Sequence, residues 1–217
     1  MRDRFDEQLM LLNKKMTEMG ALCEEVIALS AKALEECDPA LAERVAPRDS
    51  EIDSMERDIE TLCLRLLLQQ QPVARDLRQI SAALKMIADM ERIGDQAADI
   101  ADIVPHLSAP PDGRCGPIRE MARAVIRMVT ESVDAYVRRD TALAEAVIRQ
   151  DDEVDDHFDR VRHALTALIA QDPGEGERAL DLLMIAKYFE RIGDHSTNIA
   201  EWVVFAVTGV HNGVEEL

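Results

Sequence analysis

Carboxylate side chains recur at helical spacing in two copies of the pentapeptide Glu-Arg-Ile-Gly-Asp. The first copy is Glu91–Asp95, followed by Asp99, and the second is Glu190–Asp194, followed by Asn198. Residues four apart lie above one another on an α-helix, so each copy aligns acidic or amide oxygens along one helix face. Such a row of oxygens suits a hard or borderline cation.

A second acidic pair precedes each copy. Asp49 and Asp53 are four residues apart, and so are Asp151 and Asp155. Each half of the chain therefore offers carboxylates from two predicted helices, as a metal site between helices requires. The candidate metal ligands are Asp49, Asp53, Glu91, Asp95, Asp99, Asp151, Asp155, Glu190, Asp194 and Asn198. Because Asn198 carries no charge, we expect the second site to be the weaker or differently composed one.

Two other interpretations of these acidic rows stay open. Acidic residues at helical spacing can simply form a solvated face. The motif can also be a structural salt-bridge network, because Arg92 can reach Asp95 and Arg191 can reach Asp194 at i, i+3. Against the solvated face, the acids of each pentapeptide continue the apolar stripe that faces a neighbouring helix.

The chain lacks the signatures of an enzyme. It contains no Gly-rich phosphate loop, no G-x-S-x-G and no H-E-x-x-H. His157 and His195 lie next to acidic positions, but Met55 and Gln96 stand at the corresponding places in the other half, which favours bystander roles. Di-iron carboxylate bundles need Glu-x-x-His on two helices, and this chain has no such tetrapeptide.

The duplication extends beyond the pentapeptide. Asp38–Asp53 aligns without a gap onto Asp140–Asp155, offset by 102 residues, with nine of sixteen positions identical. A period near 100 residues is too long for a short solenoid repeat and indicates two homologous domains. We therefore expect internal pseudo-twofold symmetry.

Three long helices are predicted in the first half. Apolar residues at steps of four and three from Phe5 to Cys37 predict the first helix. Asp38-Pro39 is typical of an N-cap followed by proline at the first helical position, which starts a second helix ending near Gln71. The third helix should begin near Arg75 and stop near Pro105.

The second half repeats this cycle after a turn-rich stretch, Pro105–Pro117, that has the composition of a linker. Its helices are predicted at Ile118–Arg139, Thr141–Gln171 and Glu177–Val207. The predicted class is all-α, with two homologous antiparallel three-helix bundles over residues 1–107 and 118–217 joined by a linker at 108–117.

Composition limits the partners. With 43 acidic and 25 basic residues the formal charge is -18, which should repel nucleic acid and anionic lipid. Aromatic residues make up only 3% of the chain, which favours helix over sheet. No export signal or membrane-spanning run is evident, so a cytoplasmic location without membrane insertion is expected.

The sequence resembles the PhoU family of phosphate-signalling regulators. The resemblance rests on the repeated ERIGD segment, on QQQPVARDLR at Gln69–Arg78, on the acidic pairs at Asp49 and Asp151, and on the two-repeat layout. It covers the chain from about Phe5 to Val207.

The resemblance implies two similar bundles, often in a homodimer. It also implies that the repeated acidic motifs can bind iron, manganese, zinc or magnesium. The family role is negative regulation of the phosphate-starvation response, in which the protein links the ATPase subunit of the phosphate ABC transporter to a membrane sensor histidine kinase. Two alternatives are a metal-dependent phosphohydrolase whose carboxylates activate water, and a paralogue that controls another transporter or a persistence response.

Overall fold

Six long helices and one short helix make up most of the described chain. The structure is a computed structural model that describes residues 2–69, 72–107, 116–211 and 214–215. The helices are α1 (Arg2–Glu36), α2 (Pro39–Ala42), α3 (Val45–Gln69), α4 (Ala74–Ile103), α5 (Gly116–Arg138), α6 (Thr141–Gln171) and α7 (Gly176–Thr208). Within the described residues, none of these helices is both long and apolar enough to cross a bilayer.

The heptad stripe of α1 is buried along its length, as predicted. Leu12, Met16, Met19, Cys23 and Val26 are each fully buried. Apolar residues at alternating steps of three and four share one helix face, so their burial holds α1 against the rest of its bundle. Burying one such side chain contributes roughly 1.5–3 kcal/mol.

Similar turns follow the first helix of each half. Cys37 after α1 and Arg139 after α5 both have positive φ angles, 51° and 56°. The next residue then caps a helix, because Asp38 accepts a hydrogen bond from the Ala40 backbone N–H at 2.9 Å, and Asp140 accepts one from that of Leu143 at 3.0 Å. The repeat detected in the sequence therefore survives as repeated backbone geometry.

The prediction of one helix from Pro39 to about Gln71 is wrong in its first part. The chain forms the single turn α2, leaves the helix at Glu43–Arg44 and starts α3 at Val45. Pro47 explains the break, because its ring clashes with the carbonyl four residues earlier and it has no N–H to donate. Arg149 occupies the corresponding position of α6, which runs unbroken. The predicted end at Gln71 lies outside the described residues.

Two three-helix bundles form, which confirms the all-α prediction. Helices α1, α3 and α4 pack together in the first, and α5, α6 and α7 pack together in the second. Two interfaces join the bundles, α4 against α7 and α1 against α5. Each of these interfaces pairs a helix with its own sequence equivalent, as expected around a pseudo-twofold axis. One continuous hydrophobic core runs through both bundles.

The C-terminal end of the predicted second half differs from expectation. Most of the predicted linker, residues 108–115, lies outside the described residues. After α7, Gly209 takes a left-handed conformation with φ 83°, and its N–H bonds the Phe205 carbonyl at 2.8 Å. Two short antiparallel strands follow, Val210–His211 and Val214–Glu215. The sequence analysis did not predict this strand pair.

Candidate functional site

Carboxylates from α3 and α4 converge in the first bundle. The contact point is Gly94, the glycine of the first pentapeptide, which is buried. A Cβ atom at Gly94 would lie 2.5 Å from Asp49 Oδ1 and 3.1 Å from Ile52 Cδ1. A residue without a side chain is therefore needed for α3 to place Asp49 this close to α4.

Asp49 lies at the centre of this first acidic cluster. Burial, followed by the charges of Asp95, Asp53 and Asp99, raises the pKa of Asp49 to about 6. Its Oδ1 atom is buried and has no hydrogen-bond partner. A buried carboxylate oxygen without a partner is costly, so this atom is suited to receive a cation or a proton.

Glu56 and Glu91 extend the first cluster. Burial, then Glu60, Asp53 and Asp95, raises the pKa of Glu56, while Arg57 opposes the shift. Burial, then the charges of Asp95, Glu56 and Asp53, raises the pKa of Glu91. We define the first acidic cluster as Asp49, Asp53, Glu56, Glu91 and Asp95.

The second bundle builds a related cluster from α6 and α7. A Cβ atom at Gly193 would lie 3.3 Å from Asp151 Oδ1, so the two helices approach less tightly than in the first bundle. Burial, then the charges of Asp194 and Asp155, raises the pKa of Asp151 to about 6. We define the second acidic cluster as Asp151, Asp155, Glu190 and Asp194.

A lysine side chain forms an ion pair with one acid of the second cluster. Lys187 Nζ forms an ion pair with Glu190 Oε2, and Glu190 is only 14% exposed. Burial and Glu190 raise the pKa values of Asp155 and Asp194, and the Lys187 charge opposes both shifts. Lys187 Nζ also lies 5.6 Å from the centre of the Phe158 ring.

Asp99 lies between the first cluster and the second bundle. Burial, then Asp95 and Asp102, raises the pKa of its carboxyl group, and Arg191 of α7 lowers it. Tyr188, also on α7, is near enough that Asp99 adds to the rise that burial causes in the tyrosine pKa. Asp99 therefore interacts with both the first acidic cluster and the junction between bundles.

Asn198 contacts the first bundle across the same junction. Its Nδ2 atom donates to Asp89 Oδ1 at 3.2 Å, and His195 Nδ1 lies 2.9 Å from that oxygen. The side chains of Asp89 and His195 are only 14% and 17% exposed. The two bundles are thus joined by a polar contact that the sequence analysis did not predict.

The predicted pairs Arg92–Asp95 and Arg191–Asp194 do not form. Among the ion pairs of the described residues, neither arginine is bonded to the aspartate three positions on. Both arginines are exposed, and an exposed pair gains little over full hydration. Arg92 acts on Glu91, and Arg191 acts on Asp99 across the junction.

The two clusters differ in how their negative charge is compensated. In the described ranges, no group of three or more His, Cys, Asp or Glu side chains is placed to hold a metal ion as these side chains stand. Ligation would therefore need carboxylate rotations and stays a prediction. The partnerless oxygen of Asp49 fits such a role, whereas Lys187 already supplies positive charge in the second cluster.

Sequence reasoning missed Glu56 and Lys187. Glu56 lies one helical turn beyond Asp53, and its counterpart in the other half is Phe158. Lys187 lies one turn before Glu190, and its counterpart is Ala88. Both residues could have been found from spacing alone, because residues at i, i+3 share a helix face.

The two motif glycines should respond differently to alanine. Gly193→Ala should be neutral or stabilising by up to about 1 kcal/mol, because alanine favours helix and the nearest atom, Asp151 Oδ1 at 3.3 Å, belongs to a side chain that needs to shift only slightly. Gly94→Ala should leave the protein about 1–3 kcal/mol less stable than Gly193→Ala, because the new methyl group displaces Asp49 and crowds Ile52. Urea unfolding of the two variants measures this difference. Equal midpoints would show that α3 does not need the close approach.

Comparison with known proteins identifies the family. The model of the PhoU domain matches residues 16–104 and 118–203, one match in each bundle. A phosphate-specific transport system accessory protein PhoU homolog of Clostridium acetobutylicum is 35% identical over 210 residues, spanning 96% of this chain and 96% of that protein. A protein of the same description from Pseudomonas aeruginosa is 35% identical over 208 residues, spanning 95% and 86%.

Comparison with solved structures indicates the same family. The crystal structure of PhoU from Pseudomonas aeruginosa matches with a TM-score of 0.89 and 35% identity, covering 95% of this chain and 100% of that one. The phosphate transport system regulatory protein PhoU from Streptococcus pneumoniae matches with a TM-score of 0.85 and 25% identity, covering 95% and 98%. With the repeated acidic motifs, the paired bundles and these full-length matches together, the chain belongs to the PhoU family.

Proposed function

We propose that the protein is a regulatory accessory protein of a phosphate-specific transport system. It acts as an adaptor in the cytoplasm that couples the ATPase subunit of the phosphate ABC transporter to a sensor histidine kinase. When phosphate is plentiful, this coupling keeps the phosphate-starvation response switched off. The observation that carries the proposal is the match, over nearly the full length of both chains, to relatives named for that transport system.

The surface is consistent with an adaptor. The net charge of -18 and the two acidic clusters favour partners with basic contact surfaces, because complementary charge steers association. Leu64 and Leu68 lie one turn apart on α3 and are 48% and 86% exposed, and Val73 just before α4 is 62% exposed. Exposed apolar side chains of this kind, rimmed by polar residues, are typical of protein contacts. A homodimer is part of the proposal.

The proposed role needs no catalysis. The relatives are named as accessory or regulatory proteins, and the sequence carries no recognised catalytic motif. Metal binding is a further part of the proposal. Asp49, Asp53, Glu91 and Asp95 would hold an ion in the first bundle, where it would cancel the repulsion among these neighbouring acids. Asp151, Asp155, Glu190 and Asp194 are the corresponding candidates in the second.

Deletion of the gene tests the regulatory role. We expect the deletion strain to express phosphate-responsive genes in high phosphate at levels that the wild type reaches only during starvation. A transcriptional reporter in both strains measures the effect, and a plasmid copy of the intact gene is the control. Normal repression in the deletion strain would contradict the proposal. A change in another nutrient response alone would favour the paralogue hypothesis.

Elemental analysis tests the metal part. The double variant Asp95→Ala, Asp194→Ala should bind less metal than the wild type, because it removes one carboxylate from each cluster. Both side chains are exposed, so far-UV circular dichroism should show unchanged helix content. Unchanged metal content in a folded double variant would place any bound ion elsewhere.

A further inference from the structure

One corner of the first bundle, around the turn from α3 to α4, exposes apolar side chains beside arginines. Leu64 and Leu68 lie one turn apart near the end of α3 and are 48% and 86% exposed, and Val73 just before α4 is 62% exposed. Arg65 follows Leu64 and is exposed, and so is Arg75 in the first turn of α4. We define the apolar-basic corner as Leu64, Arg65, Leu68, Val73, Arg75 and Arg78.

The charge of this corner is opposite to that of the whole chain. The formal charge of the chain is -18, yet the fifteen residues from Thr61 to Arg75 include no acid. In the part of the chain that the structure describes, none of the three corner arginines forms an ion pair. There the Nε atom of Arg78 is also buried without a hydrogen-bond partner. The corner therefore has positive charge available for a partner.

A further arginine approaches the corner from the end of α5. Arg139 donates a hydrogen bond to the side-chain carbonyl of Gln79 on α4. Burial, followed by the charge of Arg75, lowers the pKa of the Arg139 guanidinium, while Tyr136 and Asp76 oppose this shift. Positive charges this close repel each other, so a negatively charged partner would stabilise both.

The homologous repeat provides a comparison for each corner position. Residues of α6 lie 102 positions after their equivalents in α3, and residues of α7 lie 99 positions after their equivalents in α4. The buried positions match, since Cys63 and Leu66 of α3 are buried like Leu165 and Leu168 of α6. The corner positions differ, because their equivalents, in the same order, are Thr166, Ala167, Ala170, Asp172, Gly174 and Glu177.

Every apolar or basic side chain of the corner is thus small, polar or acidic in the second bundle. Thr166 and Ala170 are exposed, as Leu64 and Leu68 are. Because an equivalent helix end folds without exposed leucines, packing within the bundle does not explain them. Exposed apolar side chains that the fold does not need are typical of an interaction surface.

We propose that the apolar-basic corner is the docking site for a helix of a partner protein that presents apolar side chains flanked by aspartate or glutamate. The leucines would pack against the apolar stripe of that helix, and the arginines would pair with its carboxylates. This inference rests on the proposed adaptor function and deepens it. The acidic clusters favour a partner with a basic surface, so the adaptor would hold two partners of opposite charge on different faces.

The charge of the chain favours a protein helix over a membrane or a second copy. An anionic bilayer would attract the corner but repel the rest of a surface whose net charge is -18. A second copy of the chain brings the same net charge and the same repulsion. A single helix contacts the corner alone, so it avoids this cost.

Replacing three corner residues with those of the second bundle tests the docking site. The corner variant Leu64→Thr, Arg65→Ala, Leu68→Ala should keep a urea midpoint close to that of the wild type, because α6 carries these residues at the same positions. The probe is a fluorescent synthetic helix with leucine along one face and glutamate on the others. Its anisotropy should show about tenfold weaker binding to the corner variant. Added salt should also weaken wild-type binding, because it screens the charge pairs.

Leu180→Thr, Met184→Ala is the matched control. These residues also lie one turn apart, on α7, and are 59% and 46% exposed, but Asp181 follows Leu180 in place of an arginine. The control variant should bind the probe as the wild type does. A wild type that does not bind the probe, or that binds it no better than the corner variant, would overturn the proposal. Binding to phosphatidylglycerol vesicles that the corner variant loses, with probe binding unchanged, would assign the corner to a membrane instead.

A phosphate-responsive reporter separates the docking site from the adaptor function. In the deletion strain, the corner variant, expressed at the wild-type level, should leave the reporter switched on in high phosphate. Full repression by the variant in a strain that the deletion derepresses would contradict the docking site and leave the adaptor function in place. Normal repression in the deletion strain, with probe binding lost in the corner variant, would contradict the adaptor function and support the docking site.

Discussion

Replacing Asp49 and Asp151 with asparagine should raise Tm by roughly 3–6 °C for each site at pH 7.5 in EDTA. Each carboxyl group has a pKa of about 6 in the folded protein, against 3.8 for an ordinary aspartate. A shift of this size corresponds to about 3 kcal/mol, which solvent screening at these partly exposed sites reduces to about 1.5 kcal/mol. Asparagine keeps the shape and removes the charge, so the double variant should be the most stable.

The pH dependence gives the same prediction a second readout. Because the folded pKa lies above the unfolded one, the folded protein holds more protons than the unfolded chain between pH 3.8 and 6. The two ionised carboxylates therefore destabilise the fold to their full extent above pH 6. This destabilisation decreases as the pH falls from 6 to 3.8. Lowering the pH from 7.5 to 5 should raise the Tm of the wild type and narrow its difference from the double variant.

Asp58 offers a matched control on the same helix as Asp49. It is 65% exposed and accepts a hydrogen bond from Lys15 at 3.0 Å, so Asp58→Asn should lower Tm slightly or leave it unchanged. Scanning calorimetry of the variants at both pH values measures all of these shifts. A double variant no more stable than the wild type at pH 7.5 would show that the two carboxylates are not strained by their neighbours.

The second bundle, residues 116–217, should fail to fold on its own. Helix α7 buries side chains on the face that meets α6 and α5, and it also packs extensively against α4 of the first bundle. Ala82 of α4 and Phe205 of α7 illustrate this contact, since both are buried in one cluster. Without α4 this apolar face would meet water, at a cost of about 25 cal/mol for each Å² exposed.

The cooperativity of urea unfolding tests whether the second bundle folds on its own. The isolated segment 116–217 should show a broad, non-cooperative urea transition, whereas co-expression with segment 1–107 should restore a sharp one. Since the halves share one hydrophobic core, we expect their folding to be coupled. A sharp two-state transition in the isolated segment would show that each repeat is an autonomous domain.

The helices and their pairing could be predicted because they depend on local pattern. The seam from Phe5 to Cys37 and the caps at Asp38 and Asp140 act through neighbours within a few residues, and the structure confirms them. The break before α3 was equally local. Pro47 was visible in the sequence, but the aspartate cap ahead of it suggested one continuous helix.

Contacts of the candidate site depend on side chains that meet only after packing. Sequence spacing suggested Asp95 and Asp194 as partners of the two motif arginines, whereas Arg191 is exposed and acts on Asp99 of the other bundle. Asn198 continued an acidic row by spacing, yet its amide donates to Asp89 on a helix more than one hundred residues away along the chain. The distance between helices, which sets such contacts, is not encoded in the period of one helix.

The polar junction between α4 and α7 is not symmetric. Asp89 meets His195 and Asn198, while the equivalent position, Tyr188, lies near Asp99. Two first halves docked in the same way would set Asp89 against Gln96 and Asp99, and so place one carboxylate beside another. The two halves of the duplication therefore complement each other across this junction better than either would complement a second copy of itself.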